Sequence, residues 1–317
     1  MNDASRIEWI DSVKGFGIIL VILGHMAIPE MARQFIFSFH MPLFFFVSGY
    51  LYKGGGASLK YVLRKIDALI IPYVLYSFIA LAVWVLTGKV QGWGNLKSIC
   101  LGEGIGVTWF FICLFFTEMI GSLLLLKAKE NMMICILAAV AAVVSSWTSH
   151  LEVSNYYMFR TVPAALAIWL AGHCYRGMSL SVKMKILIFA VAAAGLSMFW
   201  LQRIDMASAR IGNMFLFYGS AFGGIYIVFA LFEAFNMNWK ALSFAGRNSL
   251  VFMCFHGIIP MTIAWAMLCF GVSESGIIAK SLIRVSSCGL LFLAAIVVER
   301  YVPALAGRIR IFSLLLK

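Results

Sequence analysis

Long runs of apolar residues, separated by short polar segments, recur along the whole chain. Apolar runs of about 18 residues or more are typical of helices that span a bilayer. The pattern predicts an all-α, polytopic transmembrane helical bundle that forms one domain over residues 1–317. We expect about ten spans of roughly 20 residues each, at approximately 7–28, 35–52, 66–87, 107–126, 132–149, 159–175, 186–201, 212–235, 248–270 and 277–299. The second contains Pro42 and Gly49, so we expect it to be broken or partly re-entrant.

The charge balance agrees with a membrane location. Hydrophobic residues make up 63% of the chain and charged residues 12%, whereas a soluble domain has about 25% charged residues. Ten spans would put both termini on one side, and that side would carry about two-thirds of the 25 lysines and arginines. The positive-inside rule therefore predicts that both termini are cytoplasmic. The net charge of +12 is accounted for in this way and does not require a nucleic-acid partner.

The sequence shows no spacing that is typical of disulfides or metal sites. The seven cysteines show no paired spacing along the sequence, and the five histidines form no His-x-x-x-His pair. We interpret the cysteines as small apolar residues and expect no metal ion.

Lys14 and His25 are the most informative polar pair of the first span. On a helix, eleven residues turn about 1100°, which is about 20° from three full turns, and rise roughly 16 Å. Both side chains therefore project from one face, and Asp11 lies on the same stripe. Ionisable groups inside a span are costly and are read first as functional. An imidazole, with its ordinary pKa of about 6.5, suits a general base acting on a hydroxyl. The alternative is a structural histidine that is satisfied by a neighbouring carbonyl.

Three further polar residues lie in or beside apolar segments. His40 precedes Pro42 and either lines a cavity or satisfies backbone groups that the proline leaves unpaired. Glu118 falls in the middle of a span, where a carboxylate must face protein or water, and can orient a histidine or pair with an arginine. Arg160 flanks the sixth span, where it either meets a substrate or lies at the membrane interface without a further role.

Basic residues on the predicted cytoplasmic side suggest a polyanion. The segment Lys53-Gly54-Gly55-Gly56 is followed by Arg64 and Lys65, and Arg176 ends the sixth span on the same side. Glycine amides and basic side chains can cradle phosphates. The plainer interpretation is a solvated loop that obeys the positive-inside rule.

Several motifs, taken in order, resemble the acyltransferase-3 family of integral membrane acyltransferases. The resemblance covers roughly residues 6 to 300 and is most specific in the first fifty. It rests on Arg6, Asp11, Lys14-Gly15 and His25, on the stretch Phe39–Tyr50, on Arg64-Lys65 leading to Ile71-Pro72-Tyr73, on Trp109-Phe110, on Pro163 with Gly172, and on Gly246-Arg247-Asn248-Ser249-Leu250 ending at His256.

This resemblance implies a ten-helix fold and transfer of an acyl group, usually acetyl, from cytoplasmic acyl-CoA. The implied acceptor is a hydroxyl of a cell-surface glycan or lipid-linked saccharide, and the implied location is a bacterial inner membrane. The family's pair of a basic residue and a histidine maps onto Lys14 and His25. Many relatives have arginine at the basic position, which binds phosphate through two hydrogen bonds, whereas lysine acts as a point charge.

Together, the residues and the resemblance predict a site with three groups of side chains. His25 would act as general base, with Asp11 orienting Lys14 and with His40 and Glu118 as further catalytic candidates. Coenzyme A phosphates would be held by Lys14, Arg64, Lys65 and Arg176. Arg160, Trp109 and Ser48 would contact the acceptor or stabilise the oxyanion. A reaction through a transient acyl-histidine is a second route.

Two other functions fit the same residues. A transporter or flippase for a glycan precursor or small solute would use the polar stripe as a permeation path. A non-enzymatic sensor or assembly partner would use the polar residues as structural contacts. Uptake without acyl transfer would indicate the first, and tolerance of substitution at both Lys14 and His25 would indicate the second.

Overall fold

The computed structural model describes residues 7–26, 28–54, 58–89, 93–128, 130–179, 181–184, 186, 187, 191, 204–272 and 276–314. Among these residues the chain is helical, apart from loops and one isolated antiparallel bridge between Asp205 and Arg210. Twelve α-helices are described: α1 (Glu8–Gly24), α2 (Glu30–Leu51), α3 (Leu59–Lys65), α4 (Ile71–Leu86), α5 (Trp93–Cys100), α6 (Trp109–Lys127), α7 (Asn131–Ser149), α8 (Val162–Arg176), α9 (Met214–Ala234), α10 (Lys240–Arg247), α11 (Ser249–Cys269) and α12 (Ile277–Tyr301).

Within the described residues, seven helical segments are long and apolar enough to cross a membrane. They are Glu30–Leu51, Leu59–Leu86, Gly106–Lys127, Asn131–Ser149, Met214–Ala234, Ser249–Cys269 and Leu282–Tyr301. Each of them overlaps a span expected from the sequence, so the all-helical membrane fold is confirmed. Of the three remaining spans, α1 and α8 have 17 and 15 residues, and nearly all of 186–201 lies outside the described residues. Ten spans and cytoplasmic termini therefore stay predictions.

The expectation of a broken second span is wrong. The helix α2 runs without interruption for 22 residues from Glu30 to Leu51, with Pro42 inside it. A proline removes one backbone N–H and crowds one carbonyl, but packing on every side can keep such a helix continuous. Residues 38–47 of α2 are all buried.

The chain divides into two compact units, and the first consists of Met1–Ser58 and Phe116–Arg247. Its helices approach closely at glycines. A Cβ atom on Gly49 would lie 1.9 Å from the Trp169 carbonyl oxygen, and one on Gly172 would lie 2.1 Å from the Phe46 carbonyl oxygen. Helices α2 and α8 therefore touch backbone to backbone, which is a common way of packing helices in membranes.

In the first unit α1 and α2 are antiparallel. Trp9 at the start of α1 contacts Tyr50 at the end of α2, with ring centroids 5.9 Å apart. At the other end, Gly24 lies against Phe37. We call the end with His25 and Phe37 the upper end and the end with Trp9 and Tyr50 the lower end. Along α2, Phe37 and Tyr50 are 13 residues apart, which separates the two ends by about 20 Å.

The second unit consists of Leu59–Phe115 and Asn248–Lys317. A π-helical turn over Ile66–Ile70 joins α3 to α4. Within that turn Asp67 is buried and accepts hydrogen bonds from the backbone N–H groups of Ile311 and Phe312. The buried carboxylate thus fixes the segment that follows α12.

Candidate functional site

His25 lies at the upper end of α1, where the helix stops. The helix ends at Gly24, and His25 is its C-cap residue, with the backbone N–H directed to the carbonyl of Ile22. The side chain is exposed, and its Nδ1 lies 2.8 Å from the carbonyl oxygen of Val21. Because a carbonyl only accepts, Nδ1 must carry the proton of this hydrogen bond. In a neutral imidazole, Nε2 then has the lone pair, which is the form that a general base requires.

A cavity of about 690 Å³ opens beside His25 and is lined by described residues of the first unit. Most of the residues in its wall are polar or charged, although the chain as a whole is apolar. The wall consists of Gly24, His25, Met26, Glu30, Arg33, Gln34, Phe37, Ile204 and Asp205. Arg33 and Glu30 form an ion pair with an N···O distance of 3.3 Å. The cavity can therefore hold a hydroxylated molecule next to the imidazole of His25.

His40 lies close to His25 but deeper. The Phe37 ring contacts both imidazoles, with centroid distances of 5.4 Å to His25 and 4.9 Å to His40. His40 is only 3% exposed, and its Nδ1 lies 2.8 Å from the Ile36 carbonyl oxygen. The histidine is thus satisfied by a backbone carbonyl, but Ile36 is not the residue whose carbonyl Pro42 leaves unpaired, which is Ser38.

Lys14 and Asp11 form an ion pair on α1, with Nζ 2.9 Å from Oδ1. The side chains are 23% and 9% exposed, so the pair is largely withdrawn from solvent. Lys14 lies in the middle of α1, and the helical rise puts it about 16 Å from His25. The lysine and the histidine are therefore separated along one helix and do not form a contact pair.

The short helix α10 packs against the half of α1 that holds this ion pair. A Cβ atom on Gly246 would lie 1.8 Å from the Asp11 carbonyl oxygen, and one on Gly15 would lie 2.0 Å from the Leu242 carbonyl oxygen. The hydroxyls of Ser12 and Ser243 are 2.8 Å apart across the same contact. The backbone of α10 thus fixes the position of Asp11 and, through it, of Lys14.

Comparison with protein families identifies the chain. The acyltransferase-3 family model, described as an acyltransferase domain, matches residues 7–300. The chain belongs to this family. With its long apolar helices, it is an integral membrane acyltransferase. Comparison with curated proteins and with solved structures gave no match.

Two other candidate residues of this acyltransferase meet each other. The Ser48 hydroxyl donates a hydrogen bond of 2.5 Å to Oε1 of Glu118, which is 4% exposed. Ser48 lies eleven residues along α2 from Phe37, which corresponds to about 16 Å. The pair therefore belongs to the lower half of the first unit and is not adjacent to His25.

Arg160 is engaged with backbone at the end of α7. Its guanidinium donates to the carbonyls of Thr148, Ser149 and Val153 at 2.8 to 3.1 Å. These carbonyls lie in or just beyond the last turn of α7, where helical partners are missing. The contacts account for Arg160 as a helix-capping residue of the fold, and its role toward a substrate stays a prediction.

A second cavity, of about 540 Å³, opens at the lower end of the first unit. Arg176, His173 and Lys53 line it, and the Arg176 guanidinium donates to the Tyr52 carbonyl at 3.2 Å. Two cations beside one cavity suit a phosphate-bearing ligand. Gly54, which also lines it, adopts a φ of 88°, but Gly55, Gly56 and the motif residue Arg6 lie outside the described residues.

The remaining candidates belong to the second unit. Arg64 and Lys65 end α3, and their charged groups lie 5.4 and 5.5 Å from the centroid of the Tyr61 ring. Trp109 begins α6 and is 7% exposed. No ligand group of three or more metal-binding side chains occurs among the described residues.

Sequence reasoning missed most of the wall of the upper cavity. Glu30, Arg33 and Gln34 form one polar face in the first turns of α2, at a spacing that places them side by side. Asp205 lies in a short polar segment between long apolar ones. These signals were present in the sequence, but only the fold places the two segments beside His25.

Proposed function

We propose that this membrane acyltransferase moves an acyl group, most simply acetyl, from a coenzyme A thioester to a hydroxyl of an extracytoplasmic glycan or lipid-linked saccharide. The observation that carries the proposal is the position of His25, exposed at a polar cavity with Nδ1 bound to the Val21 carbonyl. Family membership supports acyl transfer, and the chemistry of the cavity supports a hydroxylated acceptor.

In the proposed reaction, Nε2 of His25 removes the proton from the acceptor hydroxyl as its oxygen attacks the thioester carbonyl. The tetrahedral oxyanion then collapses, the carbon–sulfur bond breaks, and the ester is formed. The departing coenzyme A thiolate takes the proton from the imidazolium, so that free thiol and neutral histidine are restored. Of the candidates for stabilising the oxyanion, His40 lies close to His25 across the Phe37 ring, whereas Ser48 lies about 16 Å from Phe37 along α2.

The donor would approach from the opposite end. Lys14 would hold a phosphate of coenzyme A, and its ion pair with Asp11 would keep the ammonium in place. Arg176 and Lys53 at the lower cavity of the same unit supply further positive charge. The role of Arg64 and Lys65 toward coenzyme A stays a prediction. The thioester on its long thin arm would then extend along α1 toward His25, about 16 Å from Lys14.

This arrangement would pass the acyl group through the membrane without the passage of coenzyme A itself. The excess of lysine and arginine on the side of the termini supports a cytoplasmic donor and an extracytoplasmic acceptor. A bacterial inner membrane is the location that fits such a reaction.

The proposal is tested with purified protein in lipid nanodiscs, supplied with acetyl-labelled acetyl-CoA and a panel of saccharide acceptors. We expect free coenzyme A thiol to appear in step with labelled acceptor. Absence of both thiol release and acetyl-CoA binding would contradict the proposal. Saccharide uptake into proteoliposomes without any acyl transfer would favour a transporter instead.

Replacement of Lys14 tests the donor role. We expect Lys14→Met to raise the KM for acetyl-CoA about tenfold or more, because a hydrogen bond to a charged group is lost. Lys14→Arg should retain binding, since it keeps the positive charge. The measurement is the initial rate as a function of acetyl-CoA concentration.

A double variant separates donor binding from neutralisation of the buried carboxylate. Lys14→Met alone removes the ion pair of the buried Asp11 carboxylate with Lys14. Asp11→Asn combined with Lys14→Met removes both charges, so this cost is absent from the double variant. If the double variant regained the original KM, Lys14 would serve only to neutralise Asp11, and the donor role would be excluded.

A further inference from the structure

The segment 204–210 forms a tight hairpin that is fixed to the rest of the upper end. Asp205 and Arg210 exchange two backbone hydrogen bonds of 2.8 Å. The Thr161 hydroxyl donates to the Met206 carbonyl at 2.9 Å, and the Asn155 amide donates to the Ala207 carbonyl at 3.3 Å. The hairpin is therefore held by the segment that joins α7 to α8.

Asp205 is oriented within this hairpin. Its Oδ1 accepts from the backbone N–H of Ala207 at 3.1 Å, and its Oδ2 accepts from the Ser208 hydroxyl. Each carboxylate oxygen can accept more than one hydrogen bond, so both keep capacity for a ligand. The same residue lines the cavity beside His25. A fixed carboxylate in the wall of a cavity is a pre-organised acceptor for hydroxyl donors.

The part of the wall that α2 forms supplies complementary groups. Gln34 lies beside Glu30, with Nε2 3.4 Å from Oε1, and its amide can both donate and accept. The positive charge of Arg33 is offset by Glu30, because the two form an ion pair. Among the described lining residues, this leaves the negative charge of Asp205 without an ion-pair partner. Such a wall matches a ligand that carries many hydroxyls and no negative charge.

We infer that the upper cavity is the acceptor subsite of the proposed reaction and that Asp205 and Gln34 are its positioning residues for an uncharged saccharide. The inference rests on the proposed function and adds the residues and the charge of the acceptor. Asp205 accepts a hydrogen bond from one acceptor hydroxyl and so orients a neighbouring hydroxyl toward Nε2 of His25. An acidic saccharide is disfavoured by the same carboxylate.

The experiment measures saccharide binding without any donor, by calorimetry in lipid nanodiscs, because sugar-headed detergents would compete. The probes are an uncharged glucan tetrasaccharide and a uronic-acid tetrasaccharide of equal length. Asp205→Asn is the main variant, since asparagine can still accept from Ala207 N–H and preserve the turn. Gln34→Met is the second. Glu152→Gln is the matched control, because it removes an exposed carboxylate beyond the end of α7, outside the cavity.

We expect the uncharged probe to bind and Asp205→Asn to weaken it about tenfold, with Glu152→Gln unchanged. In the transfer assay, Asp205→Asn should raise the KM for acceptor and leave the KM for acetyl-CoA as it was. A merely structural role would move both constants, together with the melting temperature.

Equal binding by all variants, absent binding of the uncharged probe, or tighter binding of the uronate would each overturn the inference. The two proposals can fail separately. Asp205-dependent binding with no acyl transfer to any acceptor would retain the subsite and contradict the proposed function. If acyl transfer occurred with the same KM for acceptor in Asp205→Asn as in the original protein, the proposed function would stand and the assignment of the acceptor subsite would be wrong.

Discussion

Replacement of His25 by alanine is expected to lower the rate of acyl transfer by about 10²- to 10⁴-fold, the usual contribution of a general base. The loss should appear in kcat, since the imidazole acts on the hydroxyl as the transition state forms. Binding of acetyl-CoA should be retained, because Lys14 lies about 16 Å away along α1. Thiol release from acetyl-CoA with a saccharide acceptor measures the first quantity, and calorimetry measures the second.

Asparagine at position 25 distinguishes catalysis from helix capping. Its side-chain amide can replace Nδ1 as donor to the Val21 carbonyl, but it offers no basic nitrogen. His25→Asn should therefore be as inactive as His25→Ala. His150 provides a matched control, because it is also an exposed histidine that caps a helix, at the end of α7. His150→Ala should keep full activity. If His25→Asn were active, His25 would serve only as a helix-capping residue, and the proposed mechanism would be wrong.

The membrane fold was predictable because it depends on local composition. An apolar run such as Glu30–Leu51 or Met214–Ala234 must form a helix in lipid, because only then do its backbone N–H and C=O groups find hydrogen-bond partners. The continuity of α2 through Pro42 was not predictable, since it depends on neighbours that bury residues 38–47. The start of α1 was predicted correctly, but its end was placed too late, because Gly24 and His25 end the helix within an apolar pattern.

The arrangement of the candidate site could be predicted only where its residues lie on one helix. The spacing of Asp11, Lys14 and His25 follows from helical geometry, and the ion pair between the first two is a contact of one helical turn. The hairpin that carries Asp205 and the packing of α10 on α1 join residues that are far apart in sequence. No local pattern encodes such contacts, so neither could be derived before the fold was known.

The packing of α10 on α1 gives the second large expected effect, on stability. Gly246→Ala and Gly15→Ala would each place a Cβ within about 2 Å of a carbonyl oxygen. The obstacle is backbone, so no rotamer change relieves it and the two helices must separate. Such overpacking costs about 1–3 kcal/mol, and more where the backbone cannot shift. We expect a lower melting temperature and a smaller monodisperse fraction for both variants.

Gly257→Ala is the matched control for this packing, because a Cβ there meets no atom within 4 Å and the residue lies inside α11. Alanine also favours a helix interior over glycine, so this variant should melt at the original temperature or above it. Separation of α10 would also release the backbone of Asp11 and displace Lys14. The fraction of Gly246→Ala protein that remains folded should therefore bind acetyl-CoA more weakly. Original stability and binding in Gly246→Ala would show that α10 does not hold α1 in this position.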